Sequence, residues 1–147
     1  ENAVTKDTIA PVQAMGDGTA VWGDPELFAS DMIKAIHDES DLSDIHFVLG
    51  EDREKIFAHK IILATRCEVF RAMFAEQRHT KAKTNKDGTA TVLVLPDVRP
   101  TVFLTVLHFI YTNSCKLSQE TVVDVLASAI EYGLEGLVQC CVEFITS

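Results

Sequence analysis

Histidine and cysteine are the residue types in this sequence best suited to binding a metal ion or to catalysis. Their spacing predicts no such site, because there is no Cys-x-x-Cys pair and no two histidines lie at ligand spacing on one helical face. The adjacent Cys140 and Cys141 would point about 100° apart on a helix, so they suit a single ion poorly. The pattern favours reduced thiols buried as small apolar side chains. The residues concerned are His37, His46, His59, His79, His108, Cys67, Cys115, Cys140 and Cys141.

Catalytic groups are equally poorly supported by the sequence. His59 stands at a predicted junction between a strand and a helix. A structural or capping role is favoured there, because a general base needs an oriented partner. There is no glycine-rich phosphate loop and no Gly-x-Ser-x-Gly motif. An acidic cluster in a predicted turn does not match the EF-hand ligand pattern and indicates a solvated loop. That cluster comprises Asp38, Glu39, Asp41 and Asp44.

The sequence therefore predicts no enzyme, no cofactor and no metal site. One alternative is a metal-binding or catalytic protein that uses Cys115, Cys140, Cys141 and His108. Stoichiometric metal in the purified protein, lost when the cysteines are replaced by serine, would support that alternative.

Composition and charge describe an acidic globular chain of one domain. Its 147 residues include 22 acidic and 13 basic residues, which give a net charge of -9, and 47% of the residues are hydrophobic. An acidic chain is poorly suited to nucleic-acid phosphates, and no apolar run approaches the length needed to span a membrane. The opening residues lack the features of a signal peptide. We therefore expect an intracellular piece of a longer protein, cytoplasmic or nuclear, with a flexible leader over residues 1–18 and one domain over residues 19–147.

The order of periodic segments predicts a mixed α+β domain. Asp24 and Pro25 predict the start of an amphipathic helix that ends near His37. Residues 45–49 alternate like a half-buried strand and form a predicted β-hairpin with 55–57. The remaining predicted elements are a short strand at 19–22, two short helices over 59–74 that separate at 66–68, a strand over 91–95, and helices that begin at Pro100, Ser118 and Leu134.

Two predicted surfaces stand out in this pattern. The first helix carries an apolar stripe that needs cover, either from its own core or from a partner. Its members are Leu27, Phe28, Met32, Ile33 and Ile36. A loop over 76–89 loses all apolar periodicity and is either simply solvated or a contact for an acidic partner. Its basic residues are Arg78, Lys81, Lys83 and Lys86.

Six blocks of sequence, taken in order, resemble the BTB/POZ domain family. An Asp opens the predicted strand at 42–48, Ala-His-Lys follows the hairpin at 58–60, and Phe-Arg-Ala-Met-Phe occupies 70–74. Further matching blocks lie at 95–98, 109–113 and 131–137. The resemblance covers about residues 24–147. It implies the BTB/POZ fold, in which a small three-stranded sheet, with a short N-terminal strand in addition, packs with a cluster of α-helices.

The resemblance implies a protein–protein interaction module without catalytic activity of its own. Many members of this family form homodimers through the first helix, often with the leading strand exchanged between the two chains. Asp44 and Lys60 match a charged pair at the dimer-facing pocket of some members, although an ordinary surface or intrachain ion pair is an equal alternative. The residues assigned to the dimer interface are Leu27, Phe28, Met32, Ile33, Ile36, Asp44 and Lys60.

Many family members also bind cullin-3 and serve as substrate adaptors of a ubiquitin ligase. The resemblance assigns a partner surface to Met73, Phe74, Arg78, His79, Tyr111 and Asn113. Adaptors typically place a hydrophobic-x-Glu element four residues after the Phe of the Met-Phe pair, whereas this sequence has Arg78, His79 and Thr80 there. An arginine in place of an apolar anchor weakens the expected contact.

The leading hypothesis is a homodimeric scaffold or substrate adaptor that binds cullin-3. The alternative is a dimerisation and corepressor-recruiting domain of a transcriptional regulator without cullin binding. Neither hypothesis includes a nucleic-acid or membrane partner for this domain. The sequence that flanks the domain in the full-length protein would distinguish the two.

Overall fold

The computed structural model describes residues 10–37, 42–77 and 91–147, which form five strands and six helices. The strands are β1 (Ala10–Ala14), β2 (Ala20–Gly23), β3 (Ile45–Leu49), β4 (Glu54–Ala58) and β5 (Thr91–Leu95). The helices are α1 (Pro25–His37), α2 (Lys60–Arg66), α3 (Glu68–Gln77), α4 (Pro100–Thr112), α5 (Val122–Glu131) and α6 (Glu135–Thr146). The α+β class is confirmed. Within the described residues, no helix is both long enough and apolar enough to cross a membrane.

β3 is the central strand of a three-stranded sheet with the order β4-β3-β5. It pairs antiparallel with β4, where Ile45 faces Ala58, and parallel with β5, where Ile45 faces Thr91. Every residue of β3 is buried, although the alternating sequence predicts a strand with one solvated face. That expectation is wrong because both faces of β3, the central strand, are covered.

Four aromatic rings form the centre of the core. The Phe47 ring on β3 lies 4.5 Å from the Phe103 ring and 6.0 Å from the Phe70 ring, measured between centroids. The Phe70 ring stacks on Tyr132 with centroids 4.9 Å apart and planes 14° apart. These contacts join the sheet to α3, to α4 and to the residue that follows α5, so one aromatic cluster connects elements that are distant in the chain.

Cys67 divides α2 from α3 and confirms the predicted separation at 66–68. Its backbone is extended, and its amide donates a hydrogen bond to the Leu63 carbonyl at 2.9 Å, which ends α2. Its carbonyl accepts a hydrogen bond from the Arg71 amide at 3.0 Å in the first turn of α3. Its thiol donates to the Tyr132 carbonyl at 3.3 Å, so this buried cysteine also ties the two short helices to the end of α5.

The predicted start of α1 is confirmed. Asp24 Oδ1 accepts a hydrogen bond from the Leu27 amide at 3.0 Å, and Pro25 is the first helical residue. This arrangement satisfies an amide that has no partner within the helix. The helix packs on α4 and β4, and it ends at His37 as predicted.

Two helices of the C-terminal half, α4 and α5, are followed by a residue with left-handed backbone. Asn113, at φ 62°, follows α4, and Gly133, at φ 66°, follows α5. Ser118 is the predicted start of α5, but the helix begins one turn later. The Ser118 carbonyl accepts a hydrogen bond from the Val122 amide at 2.9 Å, and the Ser118 hydroxyl lies 2.9 Å from the Thr121 hydroxyl. Ser118 therefore organises the turn that precedes the helix.

A second, two-stranded sheet stands before α1. β1 pairs antiparallel with β2, Pro11 lies opposite Trp22, and the register shifts between Pro11 and Gln13. The strand at 19–22 is thereby confirmed. The strand at 10–14 falls inside the predicted leader and corrects that expectation. The sequence of β1 shows no strand-like alternation, because this strand is stabilised by main-chain pairing with β2 rather than by a buried apolar face. Residues 1–9 lie outside the described residues.

Candidate interaction surfaces

Five large apolar side chains are exposed on the hairpin and on the adjoining first turn of α1, and we call them the N-terminal apolar surface. Trp22 exposes 60% of its surface and Phe28 exposes 55%. The other members are Val12, Met15 and Val21. Single exposed apolar side chains are ordinary, but a group on adjoining elements indicates an interaction surface.

Most of this surface lies on the hairpin of β1 and β2, and the extensive contacts of these two strands are with each other. Among the described strands, neither β1 nor β2 joins the three-stranded sheet. An isolated two-stranded hairpin is marginally stable in water, and its outer edges offer unpaired main-chain groups. This part of the chain therefore needs a second surface to cover it.

The apolar stripe of α1 divides into core and surface residues. Ile36 is 2% exposed and belongs to the core, and Met32 is partly buried against that core. Leu27 and Ile33 are half-buried, and Phe28 is exposed. In the single chain Ile36 belongs to its own core, and its assignment to a dimer interface stays a prediction. The dimer contacts of the other four residues stay predictions.

Asp44 and Lys60 lie side by side, but their charged groups do not pair with each other. Asp44 Oδ1 accepts a hydrogen bond from the main-chain amide of Lys60 at 2.8 Å, at the N-terminus of α2, where a carboxylate also stabilises the helix dipole. Lys60 Nζ lies 5.6 Å from the centroid of the Phe74 ring, in a cation–π contact. Among the described residues the ion pair is Arg99 with Asp124. Dimer contacts of Asp44 and Lys60 stay predictions.

Met73 and Phe74, from the predicted partner surface, lie on α3 and are both half-buried. The Phe74 ring lies between the Lys60 ammonium and the Phe70 ring, whose centroid is 6.0 Å away. One face of Phe74 thus supports the fold while part of the ring reaches the surface. Arg78 and His79, together with the rest of the basic loop up to residue 89, lie outside the described residues.

Tyr111 is buried, with 3% of its surface exposed. Its hydroxyl accepts a hydrogen bond from the His59 amide at 2.9 Å and lies 2.9 Å from His59 Nδ1. Both contacts are satisfied when the Tyr111 hydroxyl donates a hydrogen bond to Nδ1 of His59 and the ring proton of His59 is on Nε2. The phenol of Tyr111 thus joins α4 to the junction between β4 and α2, and the assignment of Tyr111 to the partner surface stays a prediction.

Asn113 is exposed at the end of α4 and is held there by Arg66, a residue that the sequence patterns do not single out. Arg66 Nη2 donates a hydrogen bond to Asn113 Oδ1, and Arg66 Nε donates one to the Ile110 carbonyl, both at 2.8 Å. A cation in this position satisfies the last carbonyls of α4 and stabilises the helix dipole. Lys60, the first residue of α2, contacts Phe74, and Arg66, the last residue of α2, contacts Asn113. We call Lys60, Phe74 and Asn113 the α2 surface.

The four cysteines are free thiols that differ in exposure. Cys67 and Cys141 are buried, as predicted, whereas Cys115 is half-buried and Cys140 is exposed. Burial raises the pKa of the Cys115 thiol to about 11, and the nearby Cys140 and Cys141 add to the shift. In the part of the chain that the structure describes, no group of three or more His, Cys, Asp or Glu side chains is arranged to hold a metal ion.

A sequence model of the BTB/POZ domain matches residues 33–147. This chain belongs to the BTB/POZ domain family. Bovine BTB/POZ domain-containing protein 19 is 37% identical to it over 87% of this chain and 41% of the bovine protein. The chain thus spans about two fifths of the length of that relative. The BTB/POZ family consists of protein–protein interaction modules that are not enzymes.

Solved structures agree with the BTB/POZ fold. The BTB domain of zebrafish PATZ1 has a TM-score of 0.61 and 22% identity, over 80% of this chain and 91% of that one. The BTB domain of human gigaxonin has a TM-score of 0.57 and 24% identity, over 83% of this chain and 93% of that one. These similarities show the fold.

Two features of this BTB/POZ domain were missed by reasoning from the sequence. Trp22 was placed on a short strand, but nothing in the pattern around Val12 indicated the strand with which it pairs. Arg66 was placed between two helices, and its approach to Asn113 depends on how α2 packs against α4. A basic residue in the last turn of a short helix was the available signal, and it did not identify the partner.

We expect the BTB/POZ domain to lose stability above about pH 10, because two tyrosines that keep their protons when buried ionise there in the unfolded chain. Burial raises the pKa of Tyr111, and burial together with Glu131 and Cys67 raises the pKa of Tyr132 to about 12. Below about pH 10, the pKa of an unfolded tyrosine, this contribution to stability is fully present. Above it, only the folded chain keeps the phenolic protons, so the free energy of unfolding falls as pH rises. Urea unfolding at a series of alkaline pH values would measure the decline.

Tyrosinate absorbance should appear together with the loss of structure. A Tyr132→Phe variant removes one of the two groups and should show a shallower decline. A variant whose midpoint falls as steeply as that of the unmodified protein would contradict the assignment of this decline to Tyr132.

Proposed function

We propose that this BTB/POZ domain is a self-associating scaffold in which a second copy covers the N-terminal apolar surface. The observation that carries the proposal is the exposure of Trp22 and Phe28 on adjoining elements, one of which is a hairpin whose extensive contacts, among the described residues, are between its own two strands. Each large apolar side chain contributes about 1.5–3 kcal/mol when it moves from water to a fully buried position. A two-fold dimer uses the same patch on both chains, so each contact between two different residues forms twice in the interface.

The main chain supports the same arrangement. Among the described strands, the outer edge of β5 has no neighbour, and Val94 on this strand is 48% exposed. The hairpin strands also have open edges. Pairing between an N-terminal strand of one copy and a sheet edge of the other would satisfy both sets of main-chain groups. The exchange of the leading strand, which the family resemblance suggests, is one form of this pairing.

The mass of the protein in solution tests this proposal. Light scattering after size-exclusion chromatography is expected to give twice the chain mass of 16.2 kDa at micromolar concentrations. A mass of one chain over that concentration range would contradict self-association. Variants that test the surface itself are considered in the Discussion.

We further propose that the α2 surface is the site at which this scaffold binds a partner, and that the partner is the N-terminal domain of cullin-3. Support comes from a half-buried aromatic ring, Phe74, that is fixed on two sides by Phe70 and Lys60. Asn113, the third residue of this surface, is held by Arg66 at the last turn of α2. Aromatic side chains in rigid surroundings are frequent anchors of binding, because little conformational entropy is lost when they become buried.

Calorimetric titration with the cullin-3 N-terminal domain tests this partner. We expect one-to-one binding that weakens about tenfold or more in a Phe74→Ala variant. The matched control is Ile130→Ala, which truncates an apolar side chain on α5 that is 64% exposed. Absence of heat at several temperatures, with both proteins folded, would contradict the adaptor proposal and favour the corepressor-recruiting alternative. Equal affinity for the Phe74→Ala variant would contradict the α2 surface as the site.

A further inference from the structure

His37 and His108 are 71 positions apart in the sequence and meet where α1 packs on α4. Their Nε2 atoms are 3.3 Å apart, and their ring centroids are 5.5 Å apart with an interplanar angle of 69°. His37 is exposed, and His108 is half-buried. Two ring nitrogens therefore face each other at a position that solvent can reach.

The surroundings of His108 favour its neutral ring. One ring can donate to the other only if the second nitrogen has a free lone pair. Burial lowers the pKa of His108, and the nearby His37 lowers it further. A neutral imidazole with an available lone pair is the form of histidine that binds transition metals.

The separation of the two nitrogens matches that of two ligands of one ion. Imidazole nitrogens bind Zn²⁺ at about 2.0–2.1 Å, and tetrahedral coordination at that length places two of them about 3.3 Å apart. The two rings point towards each other, so a tilt of each ring would direct both lone pairs to a shared ion. His37 is the last residue of α1, and the negative end of the helix dipole there favours a cation.

We propose that His37 and His108 form a two-histidine site for a divalent transition ion, Zn²⁺ being the best match. Among the described residues no third side chain of ligand type completes a cluster, so the part of the chain that the structure describes supplies two protein ligands. Such a site is open and exchangeable, unlike a closed structural zinc site with four protein ligands. The bound ion joins the last turn of α1, the helix that carries Phe28, to the middle of α4.

Calorimetric titration of the tag-free protein with Zn²⁺ tests the site. We expect one ion to bind per chain and the thermal midpoint to rise with the concentration of Zn²⁺, because the ion binds only the folded arrangement. Replacing either histidine should weaken binding about tenfold or more, since the second ligand then no longer acts within the same molecule. His37→Gln and His108→Gln keep a polar side chain of similar reach. Their thermal midpoints without metal show whether each variant is folded.

The thiols are the competing explanation for zinc binding. A Cys115→Ser/Cys140→Ser variant is the matched control and should bind Zn²⁺ with unchanged affinity. Loss of binding in this variant, absence of binding by the unmodified protein, or unchanged binding by both histidine variants would each overturn the proposal.

A spectroscopic measurement identifies the ligands independently of affinity. With Cu²⁺ as the probe, electron paramagnetic resonance should show coupling to two imidazole nitrogens in the unmodified protein. The same spectrum should show one fewer imidazole nitrogen in His37→Gln. An identical spectrum for both proteins would overturn the assignment, because the ion would then lie elsewhere.

Discussion

Replacing Phe28 by aspartate is expected to convert the proposed BTB/POZ dimer into folded monomers. Phe28 is 55% exposed on α1, so the change places a carboxylate in water in the single chain. In the dimer the same carboxylate would be buried without a partner, a loss of about 3–5 kcal/mol per site. Because the two-fold dimer holds two such sites, the dissociation constant should rise about ten-thousandfold or more. Light scattering measures the mass, and circular dichroism shows whether the fold is retained.

Two further aspartate variants make this experiment specific. Ile130→Asp changes an apolar side chain that is 64% exposed on α5, and it should leave the dimer intact. Ile36→Asp should unfold the chain, because Ile36 is 2% exposed in its own core. A Phe28→Asp protein that still has the mass of two chains would reject the N-terminal apolar surface as the interface. Trp22→Asp provides a second test on the hairpin and should act in the same direction.

The second large effect is expected from Phe70→Ala, which should lower the free energy of unfolding by about 3–5 kcal/mol. Phe70 is 1% exposed and contacts the rings of Phe47, Phe74 and Tyr132. Truncation leaves a cavity in the aromatic cluster that joins the sheet to the helices. For a domain of this size the thermal midpoint should fall by about 10 °C. Urea unfolding gives the free energy directly.

Phe74→Ala is the matched control, because Phe74 has the same side chain one turn later on α3 but is only half-buried. We expect it to cost about 1–2 kcal/mol, since less surface returns to water. Both variants are best measured in the monomeric Phe28→Asp background, where stability does not depend on protein concentration. Equal losses for Phe70→Ala and Phe74→Ala would show that Phe74 is a core residue, and would count against its role as a partner anchor.

The sequence predicted the elements well where local signals were strong. Asp24 and Pro25 marked the start of α1, Cys67 fell between two short helices, and residues 91–95 formed a strand as expected. β1 was missed because its order depends on pairing with β2, which no local period reveals. β3 was expected to have one solvated face, because alternation in the sequence does not show that a third strand pairs in parallel and that both faces become covered.

The candidate surfaces were harder to predict because exposure is a property of packing. The periodicity placed Phe28 and Ile36 on one stripe of α1. The two residues lie about two turns apart along the helix, and Ile36 is in the core while Phe28 is on the surface. Tyr111 matched a family block, yet the sequence could not show that its hydroxyl bonds to His59, 52 positions away. The pair of His37 and His108 lies beyond any spacing rule, since it forms only when two helices pack.

The parallel pairing of β3 with β5 governs the order in which this domain can be completed during synthesis. β3 and β4 are neighbours in the chain and can form a hairpin early, but β5 begins only at Thr91. Until that strand has left the ribosome, one edge of β3, in which four of five residues are apolar, stays open, and open apolar edges recruit other chains. Any nascent or proteolytic fragment that ends before Thr91 is therefore expected to depend on chaperones or to aggregate.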